Sequence, residues 1–415
     1  MSFTFLHAAD LHLGSPLKGL ALRDEALAQK LAGASRDAFV DLIDRALEEN
    51  IAFAVFAGDI FDGDWRDASI ALFFNRQIAR LAKAGVASYL LKGNHDADSV
   101  VTRSLSLPDL AQQFPTGRAG TFELPQWRVA LHGRGFSHRA QSENLARTYP
   151  APRPGWFNIG VLHTSLDGRP GHAAYAPCSL DDLRAKNYDY WALGHVHAHE
   201  VVSRDPFVVY PGNLQGRHIR ETGAKGAVLV DVAGGEVAGL RRLIVDRARF
   251  AEIVLDAAPH EETSALLRAV EACAKTEAEK AGGRLLALRI RLTGASALHG
   301  QFAADPAIWR DEIEAAAQRA HEDIVLERFS LETLPLAAPS TRPRGAPGAS
   351  DFDFSALLDE CLSDADLRAE ALAALRSIEN KFPPGVAPLS EELDALLAQA
   401  RDLALFRAER QEGEA

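Results

Sequence analysis

Residues 53–62 read Phe-Ala-Val-Phe-Ala-Gly-Asp-Ile-Phe-Asp, an apolar run that stops at a glycine and two acidic side chains. A short apolar run bounded by turn residues is typical of a buried strand. The pattern recurs along the first 250 residues and alternates with amphipathic stretches, which predicts an α/β layer structure. The strand candidates are 4–9, 53–57, 87–91, 128–132, 159–162, 190–193, 207–210 and 227–232.

Five of these apolar runs are followed directly by carboxylate, amide or imidazole side chains. Ligands of layered α/β proteins collect beyond the carboxyl ends of strands, so we expect these side chains to converge. The side chains of residues two apart on an extended backbone point to one face. This predicts that Asp10 pairs with His12 and that His195 pairs with His197. The motifs are Asp10-Leu11-His12, Gly58-Asp59-Ile60-Phe61-Asp62, Gly93-Asn94-His95-Asp96, His163 and Gly194-His195-Val196-His197.

The side chains in these motifs indicate a metal centre. Carboxylates and imidazoles together suit Mn, Fe or Zn better than Mg or Ca, which prefer oxygen ligands. A lone histidine near a strand end is more often structural, but five such sites in one domain favour metal binding. The candidate ligands are Asp10, His12, Asp59, Asn94, His163, His195 and His197. These seven ligands are too many for one tetrahedral metal site, but they fit two metal ions that share one carboxylate. Two such metals can activate a water molecule for attack on phosphorus.

Beyond residue 250 the pattern changes. Residues 251–335 alternate strand, helix, strand, helix and strand, which predicts a small α+β module. Residues 336–352 are rich in Pro, Ala, Ser and Gly and read as a flexible linker. Residues 353–415 carry apolar stripes at helical spacing, which predict two or three helices. These helices either bury their stripes in a bundle or dock into a partner's groove.

Composition and charge narrow the function classes. The 415 residues, 47% hydrophobic and 25% charged, indicate several globular domains and exclude a disordered or collagen-like chain. The net charge of -12 argues at first against a nucleic-acid partner. However, residues 336–415 hold 8 Lys+Arg and 15 Asp+Glu, so much of the excess lies in the linker and tail. Bulk acidity therefore predicts only weak nonspecific DNA affinity in the absence of a partner.

Cysteine usage and the apolar runs bear on the cellular compartment. Cys178, Cys273 and Cys361 lie far apart without CxxC spacing, which argues against a disulfide scaffold. No leader-like segment opens the chain, and no run approaches the ~18 apolar residues of a membrane helix. The sequence predicts a soluble cytoplasmic protein without a membrane segment.

The ordered pattern DxH, GDxxD, GNH(D/E), H and GHxH resembles the calcineurin-like metallophosphoesterases, over about residues 3–220. Within them the chain looks most like the SbcD-type DNA repair nucleases and their YhaO-like branch. Phe-Leu-His-Ala-Ala-Asp-Leu-His-Leu-Gly at 5–14 and Leu-Lys-Gly-Asn-His-Asp at 91–96 carry that likeness. The resemblance implies a four-layer α/β/β/α sandwich over residues 1–250, a cap over 251–335, a linker over 336–352 and a helical partner-binding segment over 353–415.

The resemblance also implies roles for single residues. One metal is held by Asp10, His12, Asp59 and His197, and the other by Asp59, Asn94, His163 and His195. His95 is the implied catalytic histidine, which stabilises the transition state, and Asp62 orients a ligand imidazole. Independently, Arg217 and His218 follow a glycine-containing turn and are candidates for an anion-binding rim.

Three functions compete at this point. The first is a Mn²⁺-dependent DNA nuclease, for which the family likeness implies exonuclease action, working with an SbcC- or YhaN-like coiled-coil ATPase bound by the C-terminal helices. The second is a small-molecule or cyclic-nucleotide phosphodiesterase with the same dimetal core. The third is an adaptor with an inactive site. The complete ligand set disfavours the adaptor, and the cap and tail disfavour the small-molecule enzyme, so the nuclease leads. The family further suggests a homodimer.

Overall fold

The computed structural model describes residues 2–15, 25–62, 68–98, 106–167, 175–336, 354–379 and 388–413. The predicted linker at 336–352 lies outside the described residues except for Leu336. Two compact units are present, one comprising Met1–Ala251 with Glu277–Ala287, the other Glu252–Thr276 with Leu288–Ala415. None of the helices in these described ranges is long and apolar enough to cross a membrane.

The first unit is built on two sheets. Its described strands, in chain order β1 to β12, are Ser2–Ala8, Phe53–Ala57, Ala87–Leu91, Ala111–Gln113, Gly120–Leu124, Val129–Gly133, Phe157–His163, Tyr190–Gly194, Glu200–Arg204, Phe207–Tyr210, Gly226–Ala233 and Glu236–Ile244. One sheet has the order β12-β11-β1-β2-β3-β4 and the other β5-β6-β7-β8-β10-β9. Strands β1, β2 and β3 are parallel, as are β6, β7 and β8. Parallel pairing brings their carboxyl ends to one edge of each sheet.

The two sheets face each other across a core of large apolar side chains. Phe5 on β1 stacks on Phe53 of β2 with ring centroids 5.0 Å apart, and Tyr190 of β8 meets Phe5 edge-on at 5.4 Å. All three rings are fully buried. Burial of such aromatic surface from both sheets stabilises the sandwich and fixes the spacing of the strand ends.

Helices cover the outer faces. Four described helices lie between the strands of these two sheets, namely α1 (Glu25–Glu48), α2 (Ala68–Lys83), α3 (Asn94–Asp98) and α4 (Leu180–Arg184). Apolar side chains of α1 and α2, among them Phe39 and Phe74, pack on the first sheet. A short 3-10 helix (Leu145–Thr148) and α4 contribute to the cluster on the second sheet. The predicted α/β/β/α layering is confirmed, with the outer layer of the second sheet made of short helices and loops.

The next three strands, β13 (Ala248–Asp256), β14 (Leu285–Ser296) and β15 (Ile324–Pro335), form a three-stranded sheet in the order β13-β14-β15, and most of its residues belong to the second unit. Its helices α5 (Thr263–Ala281), α6 (His299–Ala304) and α7 (Pro306–Ala320) alternate with them. The strands and the two long helices follow the predicted order. The sequence reading missed α6, a single short turn between Ser296 and Asp305 whose apolar positions are too few to show a period.

The C-terminal region is helical, as predicted. It contains α8 (Phe354–Ser363), α9 (Ala365–Glu379) and α10 (Leu393–Gly413), with a 3-10 turn at Leu389–Glu392. None of the described residues of α8 and α9 is fully buried. The assignment of domain boundaries at 250, 335 and 352 stays a prediction.

Candidate metal centre

Every predicted ligand lies at a strand end or just beyond one. β1 ends two residues before Asp10, β2 ends two residues before Asp59, and β3 ends three residues before Asn94. In the second sheet, His163 is the last residue of β7 and His195 follows the end of β8. The strand-to-loop placement expected from the sequence is therefore confirmed, and the two sheets contribute to one site because their carboxyl ends face each other.

The backbone at these positions is not extended, and one step of the sequence reasoning was wrong. Asp10, His12 and Asp59 have φ angles of 52°, 40° and 53°, and His195 has 99°. The paired side chains therefore converge because the chain turns through left-handed conformations after the strand, rather than by strand alternation. Such backbone angles are uncommon for residues other than glycine and cluster at functional sites.

Two glycines allow the loops to approach each other. A Cβ on Gly93 would lie 2.2 Å from Oδ1 of Asp59, and a Cβ on Gly58 would lie 2.4 Å from Nδ1 of His163. Gly58 also has a φ of +97°. Glycine is required at both places because any side chain would displace a predicted ligand.

The first cluster joins Asp10, His12 and His197. Nε2 of His197 lies 3.7 Å from Oδ1 of Asp10 and 3.2 Å from Nε2 of His12. The backbone N–H of His195 donates to Oδ2 of Asp10 at 2.9 Å and so holds the carboxylate in place. One ligand atom from each of Asp10, His12 and His197 can meet around a single ion.

The second cluster is centred on Asp59. Oδ2 of Asp59 lies 3.4 Å from Nε2 of His163 and 3.8 Å from Nε2 of His12, so this carboxylate faces both clusters. Oδ1 of Asn94 lies 3.0 Å from Nε2 of His163. The backbone N–H of His95 donates to Oδ1 of Asp59 at 2.9 Å. The ring of His195 meets that of His163 at 5.2 Å between centroids.

The arrangement of acceptors fits a cation. Nδ1 of His163 lies 2.9 Å from the carbonyl oxygen of Ala57, which can only accept, so Nδ1 carries the proton. In neutral His163 the lone pair of Nε2 then points at oxygens of Asp59 and Asn94. Asp10 and Asp59 are 0% and 2% exposed, and buried carboxylates require positive charge beside them. The mixed nitrogen and oxygen donors suit Mn, Fe or Zn.

The pKa values of the buried histidines and carboxylates also indicate that positive charge is stabilised at this site. Burial alone would lower the pKa of His163, but the charges of Asp59 and Asp10 outweigh burial and raise that pKa to about 9. Burial lowers the pKa of His12 to about 3. Burial also raises the pKa of Asp10, while the neighbouring histidines His163 and His12 outweigh burial at Asp59 and hold its pKa below the usual range.

His95 and Asp62 form a pair at the edge of the clusters. Nδ1 of His95 lies 3.1 Å from Oδ1 of Asp62, and Nδ1 of His12 lies 3.7 Å from the same oxygen. Burial would lower the pKa of His95, but the hydrogen bond to Asp62 and the charge of Asp59 raise it above its usual value. Asp62 therefore touches the imidazole of His95 more closely than that of His12, a predicted ligand.

Asp96 belongs to the Gly93-Asn94-His95-Asp96 motif, but no role for its side chain was predicted. It is buried, and its carboxylate accepts the backbone N–H groups of Ile60, Phe61 and Gly93 at 3.0 Å each. It thus ties the loop after β2 to the loop after β3. Burial, followed by the charge of Asp59, raises the pKa of Asp96. The signal available in the sequence was only its position beside Asn94 and His95.

Glu221 is a second residue that sequence reasoning missed. Oε1 of Glu221 lies 2.7 Å from Nδ1 of His197, and Nη2 of Arg217 lies 3.3 Å from that oxygen. Nε2 of His218 is 3.4 Å away from it. His197 and Arg217 outweigh the effect of burial and hold the pKa of Glu221 below its usual range. The predicted rim residues Arg217 and His218 therefore lie close to the candidate ligand His197. The carboxylate that contacts all three, that of Glu221, belongs to none of the five motifs.

These groups line a cleft of about 570 Å³. Its walls include the candidate ligands Asp59, Asn94, His195 and His197 and the candidate catalytic His95. The rest of the lining comprises Tyr175, Ala198, Glu221 and Thr222 together with five basic side chains, Arg139, Arg217, His218, Arg220 and Lys225. Basic side chains thus line part of the cleft, in a chain whose net charge is negative.

Two family models match the chain. Residues 3–199 match the calcineurin-like phosphoesterase family, and residues 250–334 match the middle domain of metallophosphoesterase YhaO. The first match contains the seven candidate ligands and both members of the His95–Asp62 pair. Glu221 and the basic rim follow it in sequence.

Curated relatives agree with these matches. Metallophosphoesterase YhaO of Bacillus subtilis strain 168 is 38% identical over 56% of this chain and 58% of its own length. DNA double-strand break repair protein Mre11 of Sulfurisphaera tokodaii is 24% identical over 58% of this chain and 62% of its own length. Mre11 of Methanopyrus kandleri is 27% identical over 50% of this chain and 48% of its own length. The chain therefore spans about half to three fifths of the length of these relatives.

Among solved structures, a dimetal phosphatase from Danio rerio is 14% identical, covering 56% of this chain and 93% of its own, with a TM-score of 0.35. By its two family matches and its YhaO relative, the chain contains a calcineurin-like phosphoesterase domain at residues 3–199, followed at residues 250–334 by a domain similar to the middle domain of metallophosphoesterase YhaO.

Proposed function

We propose that this protein is a two-metal-dependent phosphodiesterase that cleaves DNA, with exonuclease action and Mn²⁺ as its metal. The observation that carries the proposal is the position of Asp59, whose Oδ2 faces His12 of one cluster and His163 of the other. A carboxylate so placed can bridge two cations. Two metal ions held close together are suited to catalysing nucleophilic displacement at phosphorus. The Mre11 relatives favour DNA as the substrate.

The proposed ligands fall into two sets that share Asp59. Asp10, His12 and His197 complete one set, and Asn94, His163 and His195 complete the other. Two bound divalent cations would supply a hydroxide nucleophile at neutral pH and offset the charge of the phosphate. The chain's contribution is to hold the donor atoms in place through backbone groups, such as the amides of His95 and His195.

His95 is the proposed acid. Its Nδ1 is held by Asp62 at 3.1 Å, so the opposite nitrogen, Nε2, is the one that can hold a proton for the leaving oxygen. His95 also lines the cleft. Asp62 then acts through His95 by fixing the orientation and tautomer of its ring.

The basic rim is the proposed substrate-binding surface. Arg217 and His218 lie beside the proposed ligand His197, and Arg220 and Lys225 line the same cleft. Contacts from arginine and lysine to phosphates fix the position of a nucleic acid without reading its sequence. The rim therefore supports a polyanionic substrate over a small phosphodiester that carries a single charge.

Cleavage of DNA is the direct test. With Mn²⁺, purified protein is expected to shorten end-labelled linear DNA, and excess EDTA is expected to stop the reaction, as followed on denaturing gels. Closed circular DNA should resist if the action is exonucleolytic. Hydrolysis of cyclic nucleotides without any cleavage of DNA would contradict the nuclease proposal and favour the small-molecule alternative.

The C-terminal helices are the proposed docking segment for a coiled-coil ATPase of the SbcC or YhaN kind. Apolar side chains of α8 and α9 remain accessible, among them Leu357, Leu367 and Ile378, at 40%, 41% and 48% exposure. Deleting residues after Phe352 is expected to abolish co-purification of the ATPase and to leave hydrolysis of bis(p-nitrophenyl) phosphate unchanged. Retention of the ATPase by the truncated chain would overturn the docking proposal. Homodimerisation and a cytoplasmic location stay predictions.

A further inference from the structure

Glu221 is a buried carboxylate at the centre of a hydrogen-bond cluster. It is 7% exposed. Its Oε1 lies 2.7 Å from Nδ1 of His197, and its Oε2 accepts from Nδ2 of Asn213 at 2.9 Å and from the backbone N–H of Arg217 at 2.8 Å. Nδ2 of Asn213 and the backbone N–H of Arg217 can only donate, which matches an ionised carboxylate with no proton of its own.

The contact with Glu221 determines which nitrogen of His197 is available. A carboxylate can only accept, so the proton of neutral His197 lies on Nδ1 and the lone pair lies on Nε2. That Nε2 is the atom directed at Oδ1 of Asp10, 3.7 Å away, and at Nε2 of His12, 3.2 Å away. A hydrogen bond to the second nitrogen of a metal-binding histidine fixes its tautomer and raises its basicity.

The main chain at His197 is fixed separately. Nζ of Lys225 donates to the carbonyl oxygen of His197 at 2.9 Å, and the backbone N–H of Asn213 donates to the same oxygen at 3.3 Å. With the main chain held, the imidazole of His197 can move by rotation about its side-chain bonds, and the contact with Glu221 restricts that rotation. His163 contrasts with this arrangement, because its Nδ1 is held by the main-chain carbonyl of Ala57, which no substitution removes.

The same carboxylate also holds part of the rim. Nη2 of Arg217 lies 3.3 Å from Oε1 of Glu221 and 3.3 Å from Nδ1 of His197. The guanidinium is therefore placed by the group that places the imidazole. A single side chain connects a proposed metal ligand with a proposed phosphate contact.

We propose that Glu221 is a positioning residue, which presets His197 as a ligand of one divalent cation and places Arg217 beside it. The nature of the ion rests on the proposed function. Glu221 touches neither the ion nor the substrate and acts through His197 and Arg217.

The test is Mn²⁺ binding by full-length Glu221→Gln, measured by isothermal titration calorimetry. Glutamine keeps the size of the side chain, but its NH₂ group must face either Nδ1 of His197 and Nη2 of Arg217 or the donors of Asn213 and the backbone of Arg217. One of the two Mn²⁺ binding events is expected to weaken by about 10–100-fold while the other is unchanged. Turnover of bis(p-nitrophenyl) phosphate should fall at low Mn²⁺ and recover at high Mn²⁺, which a merely structural defect would not allow.

Two further variants make the result specific. Glu236→Gln changes an exposed glutamate at the start of β12 and should leave both binding events unchanged. In a His197→Ala background, Glu221→Gln should cause no additional loss of Mn²⁺ affinity, because the ligand through which it acts is absent. If Glu221→Gln fails to fold, Glu221→Asp, which keeps the charge but shortens the reach to His197, provides the same comparison.

Wild-type affinity for both ions in the Glu221→Gln variant would overturn the positioning role. An equal loss with and without His197 would overturn it as well. Mn²⁺ titration needs no turnover, so a protein that binds two ions but hydrolyses no diester would refute the proposed function and leave the role of Glu221 measurable.

Discussion

Asp59→Asn is expected to remove Mn²⁺ from both proposed sites and to lower diesterase turnover by at least ~10³-fold, more than any other single ligand replacement. The reason is the position of Oδ2 of Asp59, 3.4 Å from Nε2 of His163 and 3.8 Å from Nε2 of His12. An amide oxygen binds cations more weakly than a carboxylate, and here both clusters lose the same anionic group. Metal content by inductively coupled plasma mass spectrometry and turnover of a chromogenic diester measure the two effects.

Asparagine should not disturb the fold at this position. Its side-chain oxygen can still accept the backbone N–H of His95, which lies 2.9 Å from Oδ1 of Asp59. Far-UV circular dichroism of the variant should therefore match that of wild type in EDTA. Asp109→Asn, an exposed residue between β3 and β4, is the matched control and should keep both metals and full turnover. Full metal content in Asp59→Asn would refute the bridging role.

His95→Ala is expected to separate metal binding from turnover. The backbone N–H that anchors Asp59 is retained in alanine, so both Mn²⁺ ions should bind with wild-type affinity. Loss of a general acid lowers the rate by roughly 10²–10⁴-fold. The loss should be larger for DNA, whose leaving alkoxide needs a proton, than for a p-nitrophenyl diester, whose leaving group does not.

Comparison of the two substrates identifies the role of His95. An equal loss for both would indicate stabilisation of charge on the phosphate rather than proton donation. Asp62→Asn should give a smaller loss in the same direction, because it keeps the imidazole but weakens the contact to Nδ1 at 3.1 Å. Depletion of Mn²⁺ in His95→Ala would show that His95 supports the metals and is not the acid.

The layer structure and the convergence of the predicted ligands could be predicted from the sequence because the motifs that contain these residues follow buried apolar runs. Chain order alone then brings Asp10, Asp59 and Asn94 to one edge, since β1, β2 and β3 are neighbours. The backbone conformation at the ligand positions could not be predicted from the sequence. Left-handed angles at Asp10 and His12 depend on hydrogen bonds from the next strand's loop, such as that from the N–H of His12 to the carbonyl of Asp59.

Residues that support the predicted ligands, such as Glu221, also could not be predicted, because their contacts join distant parts of the chain. Glu221 lies in a polar turn whose composition resembles that of any surface loop, and its partner His197 lies 24 positions earlier. Edge strands were also missed. Residues 236–244 of β12 are mostly half-buried or exposed and include a glycine and two arginines, so no apolar run marks them.

Two main-chain amides hold the central aspartates: that of His195 holds Asp10, and that of His95 holds Asp59. Main-chain donors survive every substitution except one to proline. The hold on these two carboxylates is therefore independent of the side chains of His95 and His195, while the rim at 217–220 consists of side chains and has no such protection. Over evolutionary time, a chain of this design can exchange one phosphate-containing substrate for another by altering its rim, without rebuilding the place where the metals bind.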